Sequence, residues 1–220
     1  MRKSFLNGVL LALLPLLGMQ QNTMGKHQFI PASGGVTQPC SGSPCVDNFN
    51  RGNGVPLPAS WTTNAGLFNS YGLLVYGDTP GDNLAFYNAG SFIADQASCL
   101  TISSPHSATY IGMSVRTASL GTTAYVYPTD LLTAQPISRG VSGAYTALGS
   151  SVLPTAGDEL CLSAVGSTIT LKDITTSTVL SSVTDSVLAT GSPGLYGFNN
   201  ALDPVGQSWI GYNCPYAGVC

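Results

Sequence analysis

The sequence predicts an all-β protein, a two-sheet antiparallel sandwich, on three observations. From Val46 onward, short β-prone runs alternate with Gly, Pro, Asn or Asp at intervals of about 8–12 residues, which is how a sandwich or barrel is punctuated. Apolar residues alternate within several runs: in Tyr110–Arg116, Ile111, Met113 and Val115 share one face. After position 30, no ten-residue stretch keeps helical periodicity without a Gly or β-branched interruption. At 220 residues, one such domain plus an extension fits the length.

The elements follow in chain order. Arg2 and Lys3 precede an apolar run from Phe5 to Leu17 that carries Pro15. The run is too short for a comfortable membrane span and has the form of a signal-peptide core. No Ala-x-Ala follows it, so residues 1–25 read either as a signal peptide or as an uncleaved apolar segment that docks on a neighbouring subunit. Residues 26–45 hold Pro31, Gly34, Gly35, Pro39 and Pro44 with little apolar content, and read as an irregular arm. The sandwich occupies residues 46–220. Expected strands include Leu73–Tyr76, Leu84–Tyr87, Ser98–Ser103, Thr109–Arg116, Thr123–Tyr127, Gly140–Tyr145, Glu159–Val165, Thr168–Lys172, Val179–Val183, Leu195–Phe198 and Trp209–Tyr212. Within them Leu100 and Ile102, and likewise Leu160 and Leu162, take the core. Cys99 and Cys161 therefore turn outward, and each strand keeps one wet face.

Only 8% of residues are charged, against roughly 25% in an average soluble protein. Gly, Ser, Thr and Ala take their place, giving a neutral, hydroxyl-rich surface. The net charge of −3 and the absence of any Lys/Arg run exclude a nucleic-acid footprint. Six cysteines, Cys40, Cys45, Cys99, Cys161, Cys214 and Cys220, are an even number and fit an oxidising, extracellular or cell-surface location. Without a Cys-x-x-Cys motif, and with His27 and His106 isolated, no zinc site is expected. Cys40/Cys45 and Cys214/Cys220 each flank a short turn and either close two small loops or bond to each other. Cys99 and Cys161 are left as a staple between two strands.

Three stretches carry a resemblance. They are Asp47-x-Phe49-x-Arg51 with Trp61; Gly157–Leu171, where a Gly-Asp turn starts a strand and an x-Gly turn returns it; and Thr184-Asp185-Ser186 with Gly191–Gly197, before the closing Ser208–Tyr212. In this order the chain resembles the concanavalin A-like (laminin G-like) jelly-roll superfamily over residues 46–213. The resemblance implies a jelly-roll sandwich whose first and last strands meet. It leaves function open among lectins, glycan-binding modules, glucanases, adhesion domains and phage structural proteins.

Catalysis is not expected. The glucanases of this superfamily carry Glu-x-Asp-x-x-Glu on one strand, and the sequence has no such spacing. Asp158 and Glu159 are adjacent and point to opposite faces. Asp82, Asp95, Asp130, Asp173, Asp185 and Asp203 stand singly beside turn residues, where capping suits them better. There is no Gly-x-Ser-x-Gly, and His106 lies in a loop. The superfamily's Ca²⁺ position, where first and last strands meet, nominates Asp47 and Asp203. A second oxygen-rich stretch is Gly77–Asn83, although a structural turn suits both better. Otherwise no cofactor is expected. Glycan recognition needs an aromatic face flanked by hydrogen-bonding groups. The candidates are Tyr125 and Tyr127 on one strand face, Tyr87 with Asn83 and Asn88, and Tyr110 with Arg116. A core role for these tyrosines is the competing reading. The sequence thus leads to a non-catalytic lectin-like domain that binds glycan or mediates adhesion, or to a structural subunit of a virion or filament that partners copies of itself.

Overall fold

The computed structural model describes residues 44–106, 109–198, 206–214 and 220, all within the compact unit Gly35–Cys220. The residues proposed as signal segment and most of the arm, with Cys40 and Asp203, lie outside the described residues. The described strands are β1 (Cys45–Asp47), β2 (Arg51–Pro56), β3 (Trp61–Ala65), β4 (Phe68–Gly72), β5 (Leu74–Gly77), β6 (Asp82–Tyr87), β7 (Gln96–Ile102) and β8 (Tyr110–Thr117). They continue as β9 (Ala124–Thr129), β10 (Gln135–Val141), β11 (Ala144–Val152), β12 (Glu159–Val165), β13 (Thr168–Asp173), β14 (Thr178–Thr184), β15 (Ser192–Phe198) and β16 (Gly206–Asn213).

These strands form two antiparallel sheets, a jelly-roll sandwich. One runs β14-β13-β12-β7-β16-β5-β4-β2, with β1 added to β16; the other runs β11-β10-β9-β8-β15-β6-β3. The predicted core faces meet between them. Leu100, Ile102, Leu160 and Leu162 pack in one cluster with Ile111, Met113, Val115 and Leu195. The first and last strands pair, with Val46 opposite Ile210 and Asp47 opposite Trp209.

Cys99 and Cys161 are direct cross-strand partners of β7 and β12 and are disulfide-bonded, as the sequence predicts. Cys214 bonds Cys220, so the alternative in which the first cysteine pair bonds the last is overturned. That bond closes a local loop and does not cross the seam. Cys45 is also disulfide-bonded.

Two expectations are corrected. Cys99 and Cys161 do point away from the central core, but that face is not wet. They are buried in a second cluster with Ala97, Tyr212 and Cys214. The opposite sheet has its own outer cluster, Leu84, Ala124, Val126 and Tyr196. With so few charged residues, the outer strand faces bury small and aromatic side chains against one another. Gly140–Tyr145, expected as one strand, is instead the β10–β11 hairpin. Ser142 and Gly143 form its two-residue turn, both with positive φ (51° and 84°), the conformation a type I′ turn requires.

Candidate functional site

The stretches that carry the resemblance come together as scaffold. Trp61 packs edge-on against Trp209 (4.6 Å) and Tyr87 (5.3 Å), and Tyr87 stacks on Trp209 at 5.2 Å. Phe49 completes the group. The Trp209 indole donates to Ser98 Oγ (2.8 Å), which donates to the Gly194 carbonyl (2.7 Å), joining the two sheets through a buried hydroxyl. Tyr87 is thus a core residue, 2% exposed, and not part of a surface platform.

Asp47 is placed at the seam but is already engaged. It accepts from Arg51 Nη2 (2.7 Å), Trp61 Nε1 (2.8 Å) and the Phe49 N–H (2.9 Å). A guanidinium on the carboxylate opposes a bound cation, so the Ca²⁺ assignment to Asp47 is replaced by a structural role. Cys99, Glu159 and Cys161 lie close enough to hold a metal. Both sulfurs are consumed by their disulfide, which leaves no thiolate ligand.

Four more nominated residues prove to be internal pins. Asn83 is fully buried; its Oδ1 accepts from the Leu67 N–H and Thr79 Oγ1, and its Nδ2 donates to the Thr79 and Gly81 carbonyls. It holds the Gly77–Asn83 turn shut from inside. Arg116, at positive φ and 3% exposed, donates to the carbonyls of Ala94, Leu188 and Gly166. Tyr125 and Tyr127 are core residues with their hydroxyls at the rim: Tyr125 donates to Asp185 Oδ1 (2.6 Å) and Tyr127 to the Val152 carbonyl (3.1 Å). Burial raises the pKa of both phenols, and for Tyr125 the adjacent Asp185 adds to it. Alternation in β9 does put the two on one face, but it is the inner face.

The aromatic surface lies on the other side of that sheet. β8, β15 and β6 pair so that Tyr110, Phe198 and Asp82 form one row and Tyr196 and Leu84 the next. Phe86 follows on the same face of β6, opposite Gly194. Tyr110 and Phe198 lie 6.3 Å apart, Tyr110 half-buried and Phe198 37% exposed. Tyr145 reaches in from β11 and meets Tyr196 edge-on at 5.5 Å. It lies over Gly140, where a Cβ would come within 2.7 Å of its ring. The Tyr196 hydroxyl donates to Asp82 Oδ1 (2.9 Å). The Tyr145 hydroxyl is buried with no well-formed hydrogen bond. Burial pushes both phenols far up, reinforced at Tyr196 by Tyr145 and Asp82 and at Tyr145 by Asp82. Both therefore stay neutral and act as hydrogen-bonding groups, not as bases.

Of the nominated residues that the structure describes, only Tyr110 belongs to this face. Asn88, named beside Tyr87, is exposed and donates to Thr62 Oγ1 (2.6 Å) at its margin. Sequence reading missed Tyr196 and Phe198, although Leu195 and Gly197 in the core would have turned them outward. Tyr145 was hidden by the unrecognised hairpin turn.

Two other carboxylates, Asp130 and Asp173, serve turns. Asp130 accepts from the N–H groups of Leu132 and Thr133, and Asp173 from the N–H and hydroxyl of Thr176. Asp158 and Asp173 interact, and Asp158 is raised by burial and then by the Asp173 charge.

Solved structures share this architecture at low identity. The carbohydrate-binding module CBM66 from Bacillus subtilis aligns at 16% identity over 70% of this chain and 92% of its own, with a TM-score of 0.50. The fold is what they share. An apo Crh5 transglycosylase (11% identity, 80% of this chain and 86% of that one, TM-score 0.47) is also similar. So is the CBM2 module of the Lactobacillus casei BL23 phage J-1 evolved Dit (13% identity, 78% and 96%, TM-score 0.44). No family model and no curated relative matches the chain.

Proposed function

We propose that this chain is an exported, non-catalytic lectin-like module that takes a glycan on the outer face of its seven-stranded sheet. The observation that carries the reading is the aromatic pair Tyr110 and Phe198, with the half-buried Phe86 and Tyr145 and the carboxylate of Asp82 beside it, all seated on the buried Tyr196. Such a row offers flat apolar surface to sugar C–H groups and a carboxylate to hydroxyls. The similarity in fold to a carbohydrate-binding module supports it. Asp82 is the one carboxylate in the row among the described residues, whereas glycoside hydrolysis ordinarily takes a pair flanking the bond. The disulfides support export.

The test is retention on immobilised polysaccharides of differing backbone, comparing the native protein with a Tyr110→Ala/Phe198→Ala double variant. Both residues are at the surface of the row, so the fold survives their truncation. At least one polysaccharide should retain the native protein, and the variant should lose about tenfold in affinity. Equal retention of both proteins would move the site elsewhere, and no retention on any polysaccharide would end the glycan reading.

A second reading, a structural subunit, is favoured by β11. This nine-residue edge strand carries no charged residue and no Pro, the features with which proteins usually blunt an edge. A regular oligomer in solution together with no glycan retention would put this reading first.

A further inference from the structure

We infer that a cavity at the end of the sandwich, below Arg116, takes a single neutral sugar unit. The inference rests on the glycan reading and locates a site that the aromatic row does not include. The cavity has a volume of about 240 Å³ and is lined by Ala94, Asp95, Arg116, Ser167, Ser186 and Ala189, with Gly166 at its wall. It is a shallow depression between loops, open to solvent, with a volume that takes about one sugar ring.

Its walls are held in advance. Arg116 donates from Nε to the Ala94 carbonyl (3.1 Å), from Nη1 to Leu188 (2.9 Å) and from Nη2 to Gly166 (2.6 Å). One buried side chain thereby ties together the three loops that form the rim. Asp95 Oδ1 accepts the Gly166 N–H at 2.8 Å, adding a fourth tie. Arg116 adopts this role at a φ of 51°, a left-handed conformation costly for a residue with a side chain. Gly191 lies directly behind it, where a Cβ would come 2.4 Å from the Arg116 carbonyl carbon. Strain retained beneath a cavity is how binding sites are commonly pre-organised.

The polar groups left over determine the ligand's chemistry. Asp95 has its side chain 42% exposed, and its Oδ2 makes no hydrogen bond among the described residues. Ser167 and Ser186 also line the cavity and supply hydroxyls to it. Arg116 and Asp95 lie 3.7 Å apart, so the pocket is close to neutral. An anion would meet the carboxylate and a cation the guanidinium. Adjacent hydroxyls of a sugar can donate to Asp95 Oδ2 and exchange hydrogen bonds with the two serines. The Ala94 and Ala189 methyls would take the place of an aromatic face against its C–H groups.

The experiment titrates the full-length, disulfide-intact, ¹⁵N-labelled protein with glucose, galactose, mannose, fructose and arabinose in turn, following the amide signals of Asp95, Gly166 and Ser167. At least one sugar should shift these three amides with a dissociation constant of order millimolar, ordinary for a single ring. Asp95→Asn keeps the acceptor for Gly166 but turns the free oxygen into a donor, and should weaken binding about tenfold. Ser167→Trp fills the cavity and should abolish the shifts; Ser186→Trp fills it from another loop and should do the same if the first variant folds poorly. The Tyr110→Ala/Phe198→Ala variant should bind the sugar unchanged. Absence of shifts at these amides with every sugar, or shifts that persist in both tryptophan variants, overturns the inference. Continued polysaccharide retention would then leave the glycan reading standing, whereas loss of both would remove both.

Discussion

Asp158 and Asp185 show how the same side chain acquires opposite roles from its surroundings. At Asp185, burial disfavours the charge, but the Tyr125 hydroxyl, the Val187 N–H and Arg139 outweigh it and hold the pKa below the usual carboxylate range. A depressed folded-state pKa contributes stability that is present above the unfolded-state pKa and lost as pH falls through the folded one. Asp185→Asn should therefore destabilise the protein at pH 7, by about 1–3 kcal/mol for a charge-assisted network. The deficit should shrink below pH 4. At Asp158, burial and the Asp173 charge raise the pKa. Ionising this group opposes folding, so stability is lost as pH rises from the unfolded-state to the folded-state pKa. Asp158→Asn should raise stability at pH 7 by ~0.5 kcal/mol, solvent screening keeping the gain small, with no gain in acid. Thermal unfolding of both variants between pH 3 and 8 checks the pair; matching pH slopes would contradict both assignments.

At the scale of elements, alternation located strands well and surfaces poorly. Glu159–Val165 was read to the residue as β12, because a Gly-Asp turn starts it and a Val-Gly turn ends it. The β10–β11 hairpin was not, because Ser142 is an uncommon first residue for a type I′ turn, where Asn or Asp is the usual cue. That one missed turn concealed both the longest edge strand and Tyr145. Alternation says which residues share a face, but not whether the outer face is wet. In a chain with 8% charged residues the outer faces bury their own clusters, so Tyr125 and Tyr127 were indistinguishable from a surface pair. The aromatic face depends on close strand packing at Gly194 in β15, where a Cβ would come 2.0 Å from the Ala85 carbonyl oxygen on β6. Backbone cannot yield there as a side-chain tip would. Gly194→Ala should cost about 1–3 kcal/mol as overpacking and weaken glycan retention by displacing Tyr196. Urea unfolding measures the first effect and polysaccharide retention the second; an unchanged unfolding midpoint would mean that the sheet flexes at this row.

For the molecule as a whole, the two described disulfides constrain the chain on different length scales. Cys99–Cys161 spans 62 residues of sequence and Cys214–Cys220 spans 6. The first links neighbouring strands near the middle of the nine-stranded sheet, and its loop contains β8 to β11, which supply more than half of the opposing sheet. The second closes a short loop after β16, the strand that completes the seam. If disulfides act chiefly by restricting the unfolded chain, the long loop stabilises by ~4 kcal/mol and the short one by ~2 kcal/mol. Burial sharpens the contrast. Cys99 and Cys161 are 0% and 1% exposed within an apolar outer cluster, so their replacement by alanine also opens space there, whereas Cys220 is exposed. A Cys99→Ala/Cys161→Ala variant should therefore lose more stability than Cys214→Ala/Cys220→Ala, by ~2 kcal/mol or more. It should also expose more surface to denaturant in a less compact unfolded state, steepening the urea slope. Urea unfolding of the two double variants under non-reducing conditions measures both quantities. Equal losses would mean that the strand register, with Cys99 directly opposite Cys161, already supplies much of the constraint, so that the staple adds no more than the short terminal loop does.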